Sequence, residues 1–116
     1  MIARSRRLPL RKEMPKEGHS FSSPYFLLKF SKNNLAYNRY AVVISAKAGK
    51  TSVYRHAVKR TILRIASAWD NKEKSTGRDF LFIVSSRLAT VSRASRVKEL
   101  AGELSRAYSA IARYTY

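Results

Sequence analysis

The stretch between Glu17 and Asp70 restricts the possible folds of this chain most, because it contains no acidic residue and nine basic ones. The nine are Lys29, Lys32, Arg39, Lys47, Lys50, Arg55, Lys59, Arg60 and Arg64. An ordinary solvated surface mixes charges of both signs, whereas these cations have no acidic neighbours in sequence to neutralise them. The pattern therefore favours a fold that presents a binding surface for a polyanion.

The whole chain has the same charge bias: 24 lysines and arginines against seven acidic residues give 116 residues a net charge of +17. Nucleic acid is the default partner for such a chain. Apolar residues make up 45%, so we expect a folded core, and the length suits a single domain over residues 1–116.

The sequence contains no cysteine, which excludes disulfides and thiolate metal sites. No run approaches the about 18 apolar residues of a membrane span, and the basic amino-terminal stretch has no apolar signal core. We therefore expect a cytoplasmic protein that does not bind membranes.

Hydrophobic periodicity predicts an α+β fold with one mixed sheet and helices packed on it. Two strands, Phe21–Phe30 and Arg39–Ser45, are expected to form a hairpin with a long loop. A helix over Lys50–Trp69, a third strand over Asp79–Ser85 and a last helix over Ser92–Tyr114 follow. The order of elements is strand, strand, helix, strand, helix.

Alternation along the strands assigns residues to the two faces of the sheet. One register is expected to pack against the helices: Phe26, Leu28, Phe30, Phe80, Phe82 and Val84. The other is expected to face an open cleft: Tyr25, Leu27, Lys29, Val43, Ser45, Leu81 and Ile83. Pro24 should begin its strand or lie on an edge, because it cannot donate to the ladder.

Both predicted helices are amphipathic. The first has Val58, Ile62, Ile65 and Trp69 on one side, and its opposite side has Arg55, His56, Lys59, Arg60 and Arg64. The second, capped at Thr90 or Ser92, has a core stripe of Val97, Leu100, Ala101, Leu104, Tyr108 and Ile111.

No arrangement of residues suggests catalysis by the protein itself. The two histidines, His19 and His56, are far apart in sequence, and the seven carboxylates show no paired-acid, triad or metal-ligand spacing. A protein nuclease usually gathers carboxylates around divalent ions, and the central stretch has none. We therefore expect a protein that binds nucleic acid without cutting it.

The segment Ile44–Arg64 resembles the signature segment of the bacterial ribonuclease P protein subunit family. It keeps that pattern at Ser45, Lys47, Val53, Arg55, Lys59, Arg60 and Arg64. It departs from the pattern at Ala46, His56 and Ala57, and Pro15 lies where the family has an amino-terminal helix.

The resemblance implies an α-β sandwich, ribosomal protein S5 domain 2-like, with a left-handed β-α-β crossover. It also implies a function: the protein joins a catalytic RNA, binds the 5′ leader of precursor tRNA and supports RNA-catalysed removal of that leader. Ribonuclease P RNA and precursor tRNA are then the partners, and a monomeric protein in a one-to-one RNA complex is expected. No cofactor is expected on the protein alone, and Mg²⁺ is expected in the RNA holoenzyme.

The same resemblance implies two sets of site residues. The RNA-binding set is Lys47, Lys50, Arg55, His56, Lys59, Arg60 and Arg64. The leader-binding cleft is Tyr25, Leu27, Lys29, Val43, Ser45, Leu81 and Ile83. We expect Tyr25 to stack on a base and Lys29 to meet a phosphate.

Two other classes of protein share the charge pattern. A small basic ribosomal protein would lay the same helix on ribosomal RNA, and only the register of the signature segment argues against it. A DNA-binding module is disfavoured because strands, and no second helix of a helix-turn-helix, flank Lys50–Trp69.

Overall fold

A computed structural model describes residues 19–32, 38–45, 47, 49, 51–71 and 78–111. The described strands are β1 (His19–Ser22), β2 (Phe26–Lys32), β3 (Arg39–Val43) and β4 (Arg78–Val84). The helices are α1 (Ser52–Ala66) and α2 (Arg93–Ile111), with 3₁₀ turns at Ser67–Asn71 and Ser86–Thr90. The predicted amino-terminal departure at Pro15 lies outside the described residues.

The four described strands form one mixed sheet in the order β1-β2-β4-β3. β4 pairs antiparallel with β2 and parallel with β3. The α+β class with a mixed sheet is confirmed, but the predicted hairpin is wrong, because β4 lies between the two strands that were expected to pair. α1 instead links the parallel neighbours β3 and β4, and the handedness of that crossover stays a prediction.

The first predicted strand is divided in two at Pro24. β1 and β2 form a tight antiparallel hairpin, in which the Ser23 amide donates to the Phe26 carbonyl at 2.8 Å. Pro24 therefore lies in the turn and not at the start of a strand. In the turn, its missing amide proton costs no ladder hydrogen bond.

One face of the sheet and the two helices enclose the core, as the alternation predicts. All six residues of the predicted core register are at most 4% exposed and belong to one hydrophobic cluster with Val58, Ile62, Leu100 and Leu104. Trp69 closes this cluster, with its ring 5.2 Å from that of Phe80. Burial of these large rings is the main source of stability for the fold.

The two helices run parallel across that face. Near their amino ends, the Arg96 guanidinium lies over the Tyr54 ring, and near their carboxyl ends the rings of Trp69 and Tyr108 are 5.6 Å apart. α1 begins after Thr51, whose side-chain oxygen accepts the Tyr54 amide at 3.1 Å. Ser92 is the cap at the start of α2, because its hydroxyl accepts the Ser95 amide at 3.3 Å.

A two-bond ion pair fixes β3 to β4 at the end of the sheet where both strands begin. The Arg39 guanidinium donates to both carboxylate oxygens of Asp79, at 2.9 and 2.8 Å. The Asn38 side-chain oxygen accepts the Arg78 amide beside it at 2.9 Å. Both contacts join residues 40 positions apart, and so they select the parallel pairing over the predicted hairpin.

Within the described part of the chain, no helix has the length and apolar character needed to cross a membrane.

Candidate nucleic-acid interface

α1 presents the basic surface that the sequence predicts. Its buried residues are Val58, Ile62 and Ala66, so the opposite side of the helix faces solvent. On that side His56, Arg60 and Arg64 are exposed, while Arg55 and Lys59 are half-buried at its margin. The structure thus brings together all five predicted cationic or imidazole side chains of this helix.

Gly49 and Arg55 set the start of this surface. The Arg55 guanidinium donates through Nη1 to the Gly49 carbonyl at 2.6 Å, which holds the side chain against the loop. A Cβ atom on Gly49 would lie 2.8 Å from Tyr54 Cδ2 and 2.9 Å from Arg55 Cγ. Only glycine allows this close approach, so residue 49 positions the first cation of α1.

An open pocket lies on the first two turns of α1, and its volume of about 240 Å³ includes space that is open to solvent. It is lined by Ser52, Arg55, His56 and Lys59. A hydroxyl, a guanidinium, an imidazole and an ammonium are all hydrogen-bond donors for phosphate oxygens. The helix has no acidic residue in its first turn, so its partial positive charge also favours an anion here.

The cations of α1 have no carboxylate partner among the described residues. The ion pairs found there are Arg39 with Asp79 and Arg106 with Glu103, both outside α1. Unpaired cations on one face keep their full attraction for a polyanion. Of the two other lysines in the predicted RNA-binding set, Lys47 is exposed and Lys50 lies outside the described residues.

The predicted cleft residues are accessible on or beside the sheet face that points away from the helices, with two exceptions. Leu27, Ile83 and Val43 form a row across β2, β4 and β3, and Lys29 is the next residue on that face of β2. Lys29, Val43 and Ser45 are exposed, and Leu27 and Ile83 are partly exposed. Ser45 follows the end of β3 and so lies beyond the paired part of the row.

Leu81 is the first exception, because it is only 1% exposed. It is on the same face, opposite Lys29 on β2 and Ala41 on β3. Leu81 is the middle residue of β4, which like β2 is an interior strand of the sheet. The prediction that Leu81 lines an accessible cleft is therefore wrong.

Tyr25 is the second exception. It precedes β2 and packs against the core cluster, and its hydroxyl donates to Glu99 Oε1 of α2 at 2.9 Å. This hydrogen bond raises the pKa of the Tyr25 hydroxyl above its ordinary value, with burial and the negative charge of Glu99 adding to the effect. The predicted place of Tyr25 in the cleft is wrong, because strand alternation does not extend through the turn at Pro24.

Two residues that position the basic surface were not predicted as such. Thr51 caps α1, and Gly49 admits Tyr54 and Arg55 to close contact. A threonine directly before an amphipathic stretch is a capping signal and could have been found from sequence. The requirement for glycine at position 49 depends on tertiary contacts, so it could not have been found from the sequence.

Carboxylate clusters hold the metal ions of protein nucleases. In the described ranges, no three histidine or acidic side chains come together as metal ligands.

Comparison with known proteins agrees with the basic surface. The family model for Ribonuclease P matches residues 10–108. The ribonuclease P protein component of Thermotoga petrophila is 38% identical over 67 residues, which are 55% of this chain and 56% of that protein. The chain thus aligns with about half the length of this curated relative.

Solved structures match more of the chain. The RNase P protein from Thermotoga maritima, in complex with 1-(4-fluorophenyl)-2-thiourea, superposes with a TM-score of 0.69 at 29% identity. The match covers 86% of this chain and 98% of that one. A Staphylococcus aureus RNase P protein mutant shares the fold, with a TM-score of 0.71 at 19% identity over 90% of this chain and 89% of that one. Because the family model spans most of the sequence, the resemblance of the signature segment is confirmed: the chain belongs to the ribonuclease P protein family.

Proposed function

We propose that this chain is the protein component of a ribonuclease P: it binds ribonuclease P RNA and the 5′ leader of precursor tRNA while the RNA cuts. The observation that carries the proposal is the face of α1, whose cations have no carboxylate partner in the described part of the chain. The family match favours this function over that of a ribosomal protein.

The α1 face supports binding of the catalytic RNA. Arg60 and Arg64 are exposed one helical turn apart, and the pocket at Ser52, Arg55, His56 and Lys59 has room for a phosphate group. Each phosphate neutralised by such a cation releases a counterion, so this binding weakens as salt rises. His56 stands where the family has asparagine, and both side chains can donate a hydrogen bond to phosphate.

The open sheet face supports binding of the leader. Leu27, Ile83 and Val43 supply an apolar row for unpaired bases, and Lys29 supplies a positive charge for the backbone. Tyr25 is held by α2 and supplies no stacking platform on this face. Contact with the leader then depends on Lys29 and the aliphatic row.

The protein contributes binding and no catalytic group in this proposal. We assign the expected Mg²⁺ to the RNA and derive no protein step through it. We further propose that residues 1–116 form one domain that acts in the cytoplasm as a monomer, one copy per RNA. All described strands belong to one sheet, and both helices share one core with it.

Reconstitution tests the proposed function. Purified protein is combined with ribonuclease P RNA and precursor tRNA at a low Mg²⁺ concentration, at which the RNA alone is slow. We expect the protein to accelerate release of the leader and to be inactive without RNA. Sequencing of RNA recovered with the protein from cells is the companion measurement. Recovery of ribosomal RNA alone, with no acceleration, favours the ribosomal alternative.

The leader-binding face is tested by Lys29→Ala. This change should lower affinity for precursor tRNA in the complex and leave affinity for mature tRNA, which has no leader, unchanged. Lys98→Ala is the matched control, because it removes the same charge at an exposed position on α2. An equal loss for both tRNAs with Lys29→Ala would place the leader elsewhere.

A further inference from the structure

A second acid-free stretch lies between Asp79 and Glu99. It contains Arg87, Arg93, Arg96 and Lys98. The last three belong to the first two turns of α2, which has no acidic residue in its first turn. None of the three forms an ion pair with a described residue. This basic segment has no part in the function proposed above.

Arg96 is held in a fixed orientation against α1. Its Cζ lies 4.8 Å from the centre of the Tyr54 ring, so the aromatic ring covers one side of the guanidinium. Its Nε atom is buried and has no hydrogen-bond partner among the described residues. Only the terminal nitrogens are then left for an acceptor, and these two form the fork that matches two phosphate oxygens. Less side-chain entropy is lost on binding, because stacking has already restricted the guanidinium.

Arg93 extends this positive site by one turn. Residues three apart are neighbours on a helix surface, so Arg93 and Arg96 lie on the same side of α2. Lys98 is about 160° around the helix from Arg96, at about 100° per residue, and so faces elsewhere. Glu99 is the carboxylate nearest to Arg96 in sequence, and it accepts the hydrogen bond from Tyr25.

The site adjoins the start of the α1 surface. Because the helices run parallel, their amino ends lie at the same end of the fold, and Tyr54 is followed directly by Arg55. The side chains of Tyr54 and Arg55 both approach Gly49. Arg55 and Arg96, which lies over the Tyr54 ring, therefore flank the first turn of α1. Two helix amino ends without acidic residues add their partial positive charges there.

We propose that Arg93 and Arg96 bind phosphate groups of the same RNA that lies on α1. This inference rests on the proposed function, since it takes that RNA as the partner. A single strand crossing the first turn of α1 passes from the pocket of Arg55 to the stacked guanidinium of Arg96. The continuity of charge across Tyr54 favours RNA over an acidic protein, because phosphates repeat along a strand and match successive arginines.

Salt dependence of RNA affinity tests the proposal on the full-length protein with ribonuclease P RNA. Arg96→Ala and Arg93→Ala should each flatten the slope of log affinity against log salt by about 0.7 to 0.9, the value for one phosphate contact. Lys98→Ala is the control with the same charge loss on another side of α2, and its slope should be that of the parent. Arg96→Lys should keep the slope but bind more weakly, because lysine lacks the stacked fork.

Melting temperatures equal to that of the parent protein exclude misfolding as the cause of a flattened slope. If Arg93→Ala and Arg96→Ala match Lys98→Ala in slope, the proposal is overturned, and the proposed function stands as long as Arg60→Ala on α1 still flattens the slope. If Arg60→Ala has no effect either, the proposed function fails with it. Equal flattening by Lys98→Ala would show a general charge effect and would also overturn the specific role of Arg93 and Arg96.

Discussion

α1 and α2 pack side by side on the same face of the sheet, yet their exposed sides differ. α1 has no acidic residue at all, and its cations have no carboxylate partner in the described part of the chain. α2 contains Glu99 and Glu103, which accept hydrogen bonds from Tyr25 and Arg106. The acidic side chains of α2 therefore bond to other side chains of the protein. The cations of α1 have no such acidic neighbours on their own helix and remain available to a partner.

The buried sides of the two helices are equivalent, and substitutions there should have the largest effect, which is a loss of folding stability. Ile62 of α1 and Leu104 of α2 are both 0% exposed. Ile62→Ala and Leu104→Ala should each lower the free energy of unfolding by about 2 to 5 kcal/mol, because each leaves a cavity in the shared core. Urea denaturation measures both. A loss below about 1 kcal/mol in only one variant would break the equivalence, since such a value is far under the usual range for this change.

The exposed side of α1 and the carboxyl-terminal half of α2 should differ in RNA binding. Arg60→Ala on α1 should flatten the slope of log affinity against log salt by about 0.7 to 0.9. Arg106→Ala on α2 removes the same charge and should leave the slope unchanged, because its guanidinium is held by Glu103 at 2.8 Å and lies over the Phe21 ring. Neither change should alter stability much, since exposed ion pairs contribute little. Equal slopes for the two variants would contradict the difference between α1 and the carboxyl-terminal half of α2.

The smallest effect concerns the contact of α2 with Tyr25. Tyr25→Phe removes the hydrogen bond to Glu99 and should lower the melting temperature less than either core variant does. The folded-state pKa of Tyr25 is raised, so this stabilisation is present below the ordinary tyrosine pKa and is lost as pH rises through the raised value. Thermal melts of parent and variant from neutral to strongly alkaline pH should therefore converge.

Tyr25→Phe also sharpens the assignment of the sheet faces. Affinities for precursor and mature tRNA should remain in the parental ratio, because the Tyr25 side chain contacts α2 and not the open face. Selective loss of precursor binding would restore Tyr25 to the leader-binding face.

Local patterns in the sequence determined the faces of the elements. Alternation placed Phe26, Phe30 and Phe82 in the core, and helical spacing placed Arg60 and Arg64 on the exposed side of α1. These predictions succeeded because backbone geometry fixes which residues share a face, whatever the element packs against. The helix bounds were close for the same reason: Lys50–Trp69 was predicted, and Ser52–Ala66 with a following 3₁₀ turn is found.

Only the tertiary structure decided which elements are neighbours. Alternation says nothing about strand order, and the placement of β4 between β2 and β3 depends on contacts such as Arg39 with Asp79, 40 residues apart. Alternation likewise did not predict the burial of Leu81, and the contact of Tyr25 with Glu99 spans 74 residues. The stacking of Arg96 on Tyr54 likewise requires two parallel helices that no local pattern aligns. Sequence periodicity therefore assigned most side chains to the correct face, although Val97 of the predicted core stripe is 45% exposed and Leu81 is buried. Long-range packing decided which side chains meet.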